Sequence, residues 1–253
     1  MEWTVLAAMA AATFVGALVQ AATGFGFAIL AAPVFLVAMN SPAAIPILVA
    51  LHVPQSLMLV PGIWHRASRW HLKRLVLGAV FGCPVGLWLF AGANVRALKL
   101  TVGCLILAVI ALLLVREGVA RRRRHAGAAA GHGTPATLIT GTIAGAMTAL
   151  LVMPGPPLMV YFMGARQGAD ALRALSLSFF ARCYVAVAAA NIVTGQMPRA
   201  SWMAVGMLTP AVIAGTLAGT TLGGRLSEAG MRLAILVLLF LSGAGAIASA
   251  LIG

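Results

Sequence analysis

The sequence consists of eight long apolar segments, and short polar stretches between them hold almost all of the charged residues. The segments are 4–38, 42–62, 75–92, 97–115, 136–164, 171–194, 201–222 and 230–252. Six of them are close to the length of about 20 residues that a helix needs to cross a bilayer. Charged residues make up only 8% of the 253 residues, whereas about 25% is usual in soluble domains. The pattern predicts an all-α, polytopic membrane protein and excludes an ordinary soluble enzyme.

The other two segments are longer, and each contains helix-breaking residues near its centre. Segment 4–38 holds the run Thr23–Phe27, which includes two glycines, and segment 136–164 holds the run Pro154–Pro157, which includes three prolines. Proline removes a backbone donor, and glycine loosens the chain. Broken backbone survives at membrane depth only where protein or a wet cavity surrounds it. We therefore predict two half-helices in each segment, as a re-entrant hairpin or as a pair of short crossings.

The distribution of the basic residues tests how these segments thread the membrane. The chain has 17 Lys and Arg residues against 4 Asp and Glu residues. If both broken segments enter and leave on the same side, 13 basic residues share one side and 3 the other, whereas eight simple crossings give 10 and 6. Lys and Arg collect on the cytoplasmic side. The hairpin arrangement is therefore favoured, with both termini outside the cytoplasm, in a bacterial-type plasma (inner) membrane, and the positive charge is not interpreted as a nucleic-acid site.

The chain shows signs of an internal duplication at a displacement of 133 residues. Arg66-Ala67-Ser68 matches Arg199-Ala200-Ser201, and the glycine pair at 82 and 86 matches the pair at 215 and 219. We interpret residues 1–115 and 136–253 as two inverted transmembrane repeats, joined by a basic cytoplasmic linker, 116–135. Each repeat would be a broken helical hairpin plus three transmembrane helices, and the glycine pairs would be close-packing faces. This arrangement is typical of secondary transporters, in which the positive end of a half-helix can hold an anion.

Two ionisable residues lie near the middle of predicted spans, Arg182 and His52. A cation at that depth is costly, and a bound anion would offset much of the cost. We predict both as substrate contacts near the midplane, against the alternative that they bond only to neighbouring protein groups. Imidazole usually has a pKa of about 6.5, which would suit coupling to a proton, and sodium is the other candidate coupling ion. The further candidate substrate-binding residues, each with a helix-packing alternative, are Gln20, Thr23, Gly24, Gly26, Gln55, Gly155 and Tyr161.

The glycine and proline patterns around the two breaks resemble those of the TauE/SafE family, also called the toluene sulfonate uptake permease family. The pattern is Gly16-x3-Gln20-x2-Thr23-Gly24-Phe25-Gly26-Phe27-x5-Pro33 in the first half and Gly145-x9-Gly155-Pro156-Pro157-x3-Tyr161 in the second. The resemblance covers the chain as two related halves. It implies transport of sulfite, thiosulfate-like or organosulfonate anions, with importers and exporters both in the family.

The sequence thus predicts a secondary transporter of a small sulfur-containing anion and not an enzyme. It contains no GxxxxGK[ST] run for ATP, no HExxH, no GxSxG and no acidic residue inside a span. An anion channel or a membrane scaffold is the alternative, and a membrane-embedded enzyme is less favoured. A channel would pass current faster than a carrier cycle allows. The expected partners are the anion and membrane lipid, without a cofactor or metal, and the oligomeric state stays open, with a homodimer among the choices.

The three cysteines, Cys83, Cys104 and Cys183, all lie within apolar segments. Their odd number and spacing indicate neither a disulfide framework nor a CxxC pair. We predict them as small, unreactive core residues.

Overall fold

The computed structural model describes residues 3–123, 133–162, 168–222 and 228–252, and within these ranges every regular element is helical. The elements are α1 (Trp3–Thr23), α2 (Phe27–Met39), α3 (Ala44–Leu59), a 3-10 turn (Trp64–Arg66), α4 (Arg69–Ala91), α5 (Val95–Arg123), α6 (Thr134–Leu151), α7 (Gly155–Phe162), α8 (Ala169–Val193), α9 (Arg199–Leu222) and α10 (Glu228–Ile252). Among the residues whose side chains the structure describes, five helices, α1, α4, α6, α8 and α9, are long and apolar enough to cross a membrane. The prediction of an all-α, polytopic membrane protein is confirmed.

Both long segments break where their glycines and prolines predict. The first break separates α1 from α2 and contains Gly24, with φ at 90°, and Gly26, with φ at 116°. Backbone of this kind is costly for residues with a Cβ. The second break separates α6 from α7 and ends at Pro154. Val152 lies within it at a φ of 62°, which is a true outlier for a β-branched side chain.

The helices of the two halves interlock in close pairs, α1 with α9 and α4 with α6. Gly82 and Gly86 of α4 lie directly against backbone carbonyls of α6, and Gly215 and Gly219 of α9 lie against backbone carbonyls of α1. Small residues four apart on a helix let two backbones approach closely within a membrane. The prediction that these glycine pairs are close-packing faces is confirmed.

The centre of the bundle is formed by α2 and α3, which are shorter and more buried than the long helices α1, α4, α8 and α9 around them. Along α3, every residue from Ala44 to His52 is buried. Large apolar side chains are exposed on the outer helices instead, among them Trp88, which is 75% exposed, and Phe81, which is 66% exposed. An apolar outer surface of this kind is suited to lipid.

Lys99 and the linker between the two halves differ from the sequence-based expectation that charged residues lie in loops outside the helices. Lys99 is one of the 3 basic residues that the charge distribution places on the side opposite the cytoplasm. It is buried, and its Nζ donates to Asn40 Oδ1 (2.7 Å) and Ser249 Oγ (2.9 Å). It thereby places a positive charge beside the end of α2, where the helix dipole favours a cation.

Helix α5 continues through Arg123 into the predicted linker, and the rest of the linker to 132 lies outside the described residues. Cys104 is exposed on α5, which corrects its prediction as a core residue, whereas Cys83 and Cys183 are buried. The division into two inverted repeats stays a prediction.

Candidate functional site at the helix breaks

The two breaks face one cavity in the interior of the bundle. Its walls come from the first break with the start of α2, from the second break with the start of α7, and from α8. They comprise Gln20, Phe25, Gly26, Ala28, Ile29, Val152, Met153, Pro154, Gly155, Phe180 and Tyr184. Phe25 bridges the two sides, because its ring packs on Phe180 with centroids 5.6 Å apart and also lies against Gly155. The cavity has room for about one water molecule.

The first break is held by two polar side chains at the end of α1. Gln20 Oε1 accepts a hydrogen bond from the backbone N–H of Phe27 (3.3 Å), which is the first residue of α2. Thr23 donates to the carbonyl of Val19 (2.8 Å) and accepts from the N–H of Phe25 (3.2 Å). The Gln20 amide oxygen therefore lies at the start of a helix, where N–H groups without a partner in the helix attract negative charge.

The second break is held by Tyr184 of α8. Its hydroxyl donates to the carbonyl of Val152 (3.2 Å), the residue with the unusual positive φ. Helix α7 then begins at the buried Gly155 and continues with Pro156 and Pro157. Since prolines have no N–H, the donors that the first turn of α7 offers are the N–H groups of Gly155 and Leu158.

His52 lies directly behind the cavity and is fully buried. Its ring packs between Phe27, with centroids 4.2 Å apart, and Tyr184, with centroids 4.0 Å apart. Nδ1 lies 2.7 Å from the carbonyl of Leu48, and because a carbonyl only accepts, Nδ1 carries a proton. Nε2 is buried and lacks a hydrogen-bond partner among the described residues. Such an atom calls for an explanation in a folded protein.

Gln55 occupies α3 one turn beyond His52 and is also fully buried. Its Nε2 donates to the carbonyl of Ala17 in α1 (3.1 Å). Its Oε1 is buried and has no hydrogen-bond partner within the described part of the chain. Gln55 thus ties α3 to α1 close to the first break and leaves a second unsatisfied polar atom there.

The structure brings together most of the predicted site residues but leaves two of them elsewhere. Gln20, Gly26 and Gly155 line the cavity, Thr23 and Gly24 form the first break, and His52 and Gln55 lie behind it. Arg182 and Tyr161 are not among the residues that line the cavity.

Arg182 is exposed on α8, two residues from the buried Tyr184. Its guanidinium donates to the carbonyl of Ser178 in its own helix (2.6 Å) and lines a groove between α4 and α8. Tyr161 lies near the end of α7, where its hydroxyl is 2.9 Å from that of Thr137 in α6. The predicted placement of Arg182 near the midplane stays a prediction.

Arg173 is a cation at the first break, whereas the charge distribution places it only among the 13 basic residues on the cytoplasmic side. Its guanidinium donates to the carbonyl of Ala21 in the last turn of α1, and its aliphatic part lies against Gly24. A positive charge at the end of a helix is favourable. The sequence also does not single out Tyr184 or Phe180, although Tyr184 carries a hydroxyl in the same predicted span as Arg182.

A polytopic bundle with two broken helices whose ends share a buried cavity has the architecture of a membrane transporter. The chain belongs to the TauE/SafE family, since the family model described as "Sulfite exporter TauE/SafE" matches residues 8–246. The resemblance stated from the sequence is thereby confirmed. The protein is a multi-pass membrane protein of a family that transports sulfur-containing anions. The comparison with curated proteins gave no match, and the comparison with solved structures gave none either.

Proposed function

We propose that the protein is a secondary transporter that carries a small sulfur-containing anion, sulfite or an organosulfonate, by alternating access around the two helix breaks. The observation that supports this most directly is that α2 and α7 both begin at the same cavity. Each helix start carries N–H groups without a partner in its helix and a partial positive charge. Two such starts facing one cavity make a binding place for an anion.

The donors for the anion come mainly from the backbone. We assign this role to the N–H groups of Ala28 and Ile29 in α2 and of Gly155 and Leu158 in α7, because these lie in the first turns of the two helices. The residues that line the cavity within the described ranges include no acid. This supports an anion over a cation as the substrate.

His52 is the residue that we propose couples transport to a proton. In the neutral ring, Nε2 presents a lone pair, which repels an anion, whereas the protonated ring presents an N–H donor. Protonation would therefore favour anion binding beside Tyr184 and Phe27, and the anion would travel with a proton. Coupling to sodium is the competing outcome, and a requirement for a sodium gradient instead of a proton gradient would replace this part of the proposal.

The cavity must enlarge to accept a substrate, since sulfite has four non-hydrogen atoms and the space suits about one water molecule. Gln20 occupies the start of α2, and we propose that the arriving anion displaces its amide oxygen. The interlocked pairs, α1 with α9 and α4 with α6, support the inverted-repeat interpretation, because each joins the first half-helix of one half to the second crossing helix of the other half. Rocking of one repeat against the other would then expose the cavity to each side in turn.

The direction of insertion follows from the charge distribution, and we propose a plasma (inner) membrane location with both termini outside the cytoplasm. Alkaline phosphatase fused after Gly253 is then expected to be active, because that enzyme needs an oxidising compartment for its disulfides. A fluorescent protein fused at the same point serves as the reverse reporter. Insertion of either reporter within 124–132 is the control and should give the opposite signals. An inactive phosphatase after Gly253 with an active one in the linker would reverse the proposed orientation.

Transport itself is tested by uptake into proteoliposomes made with the purified protein. We expect saturable uptake of at least one labelled anion from a panel of sulfite, thiosulfate, sulfoacetate, taurine and an aryl sulfonate. Uptake is compared with that of empty liposomes and with the uptake of labelled sulfate. Current far faster than a carrier cycle would indicate a channel, and uptake of none of the panel would reject the proposed substrate class.

Arg182 is proposed to contact the anion along the groove between α4 and α8, since no ion pair to it is found among the described residues. Arg182→Gln should lower uptake about tenfold or more, because an interaction with a charged group is worth about 1.5–3 kcal/mol. Arg182→Lys is the matched variant that keeps the charge and should retain part of the activity. Equal uptake by Arg182→Gln and the unmodified protein would remove Arg182 from the substrate path.

A further inference from the structure

Four basic side chains lie close together where the 3-10 turn leads into α4: Arg66, Arg69, Lys73 and Arg74. Arg66 forms an ion pair with Asp170 of α8, with Nη1 and Oδ2 3.3 Å apart. The other three form no ion pair within the part of the chain that the structure describes. Arg69 and Lys73 are exposed and four residues apart, so two like charges are neighbours on one face of α4 and repel each other. An anion bound there would remove this repulsion.

Two tryptophan rings orient the arginine side chains of this cluster. The guanidinium carbon of Arg74 lies 3.8 Å from the centroid of the Trp70 ring, and that of Arg69 lies 5.8 Å from the Trp64 ring. Both distances are within the reach of about 6 Å for a cation–π contact. A guanidinium that lies on a ring keeps N–H groups at its edge, which suit the oxygens of a phosphate.

The same two rings indicate the depth of the cluster in the membrane. Trp64 is 49% exposed and Trp70 is 41% exposed. Tryptophan side chains collect at the level of the lipid headgroups, where one part of the ring system is in apolar surroundings and the N–H is wet. The basic side chains next to them are therefore expected at the level of the phosphates of the lipid.

Beyond the basic cluster, the same face of α4 is apolar and exposed. Leu77 and Phe81 follow Lys73 at intervals of four residues, which places the three side chains on one face of the helix. Leu77 is 53% exposed and Phe81 is 66% exposed. With a rise of about 1.5 Å per residue, Phe81 lies about 12 Å along the helix from Lys73. One leaflet contributes about 15 Å to the hydrocarbon core, so these side chains lie at the depth of the acyl chains.

We propose that this face of α4 is a binding site for an anionic phospholipid. The headgroup phosphate accepts hydrogen bonds from Arg69, Lys73 and Arg74, and an acyl chain lies along Leu77 and Phe81. Positive charge alone would suit a soluble phosphate equally well. The exposed tryptophans and the apolar continuation of the face favour a lipid, because only a lipid offers a negative charge and an apolar chain at these two depths.

The bound lipid should also stabilise the bundle. The opposite face of α4 packs on α6 through Gly78 and Gly82, whose positions lie directly against the α6 backbone. A ligand that binds only the folded protein raises its stability. We therefore expect an anionic lipid to raise the melting temperature of the protein, whatever anion the protein transports.

The site is tested by native mass spectrometry of the full-length protein, purified in detergent and titrated with phosphatidylglycerol or with phosphatidylcholine of the same acyl chains. The unmodified protein should retain phosphatidylglycerol at several-fold lower concentrations than phosphatidylcholine. The double variant Lys73→Gln/Arg74→Gln should retain phosphatidylglycerol about tenfold less well, since each basic side chain at the surface adds to the attraction of an anionic lipid. The control is Arg96→Gln/Arg199→Gln, which removes two exposed charges elsewhere and should bind as the unmodified protein does.

Two further variants keep every charge, which matters because basic residues also direct insertion into the membrane. Trp70→Leu removes the ring that orients Arg74, and Phe81→Ser removes apolar contact at the depth of the acyl chain. Each should lower the retention of phosphatidylglycerol several-fold. Phosphatidylglycerol should raise the melting temperature of the unmodified protein more than phosphatidylcholine does, and this difference should be lost in Lys73→Gln/Arg74→Gln.

Equal retention of the two lipids by the unmodified protein would overturn the proposed site. The same loss in Lys73→Gln/Arg74→Gln and in Arg96→Gln/Arg199→Gln would also overturn it, because net charge and not this face would then attract the lipid. Glycerol 3-phosphate, the headgroup without chains, should fail to displace the lipid even in large excess. Displacement by it would assign the cluster to a soluble phosphate and reject the lipid.

Discussion

His52→Gln is expected to lower the initial rate of anion uptake by tenfold or more at neutral pH. Glutamine is polar and of comparable length, but it cannot gain a proton, so the change removes the proposed coupling group and keeps a hydrogen-bonding side chain. The loss of a hydrogen bond to a charged partner costs about 1.5–3 kcal/mol, and each 1.4 kcal/mol corresponds to a factor of ten. Proteoliposomes with an imposed proton gradient provide the measurement.

The dependence on the proton gradient separates a coupling role from a purely structural one. In the unmodified protein, an inward proton gradient should accelerate uptake, whereas in His52→Gln the remaining uptake should no longer respond to it. A variant that had merely lost stability would show less uptake but the same response to the gradient. The melting temperature of the purified variant is recorded alongside the uptake rate.

His65→Gln is the matched control for this substitution. His65 is exposed in the 3-10 turn that follows α3, far along the chain from the helix breaks. Its replacement should leave both the uptake rate and its response to the gradient unchanged. If His52→Gln and His65→Gln behave alike, His52 is a buried packing residue and the proton must be coupled elsewhere.

The sequence was sufficient to predict where the helices break, because breaks are local. The glycines at 24 and 26 and the prolines at 154, 156 and 157 act on the backbone of their own segment, whatever packs around it. The glycine pair at 82 and 86 likewise predicted close packing against another helix, because small residues four apart let two helix backbones approach.

The facing of individual side chains could not be predicted in the same way. In water, an apolar stripe shows which side of a helix is buried, but here both lipid and protein neighbours are apolar. The position of a residue within a span therefore does not show whether its side chain faces lipid or protein. Arg182 and Tyr184 are two residues apart, yet Arg182 is exposed and Tyr184 is buried. The exposure of Cys104, which was predicted as a core residue, and the bond from Arg173 to the end of α1 depend on how separate helices pack, and no residue spacing indicates them.

Gly82→Leu is expected to destabilise the protein more than any other single change considered above. A Cβ at this position would collide with the backbone of Thr142 in α6, and backbone cannot turn aside as a flexible side chain can. Overpacking a core usually costs about 1–3 kcal/mol, and here the cost should exceed this range because α4 and α6 would have to separate along their closest pair. The loss of folded, monodisperse protein in detergent and a lower melting temperature measure the effect.

The same substitution at Gly206 gives a control within the same bundle. Gly206 lies in α9, and a Cβ there would meet nothing within 4 Å. Gly206→Leu should change the stability little, since leucine favours a helix over glycine by about 1 kcal/mol and meets no obstacle. Gly215→Leu in α9, which would collide with the backbone of Phe14 in α1, should behave like Gly82→Leu. Equal stability of Gly82→Leu, Gly215→Leu and Gly206→Leu would mean that the interlocked pairs do not form, and the shared cavity between the two breaks would lose its structural basis.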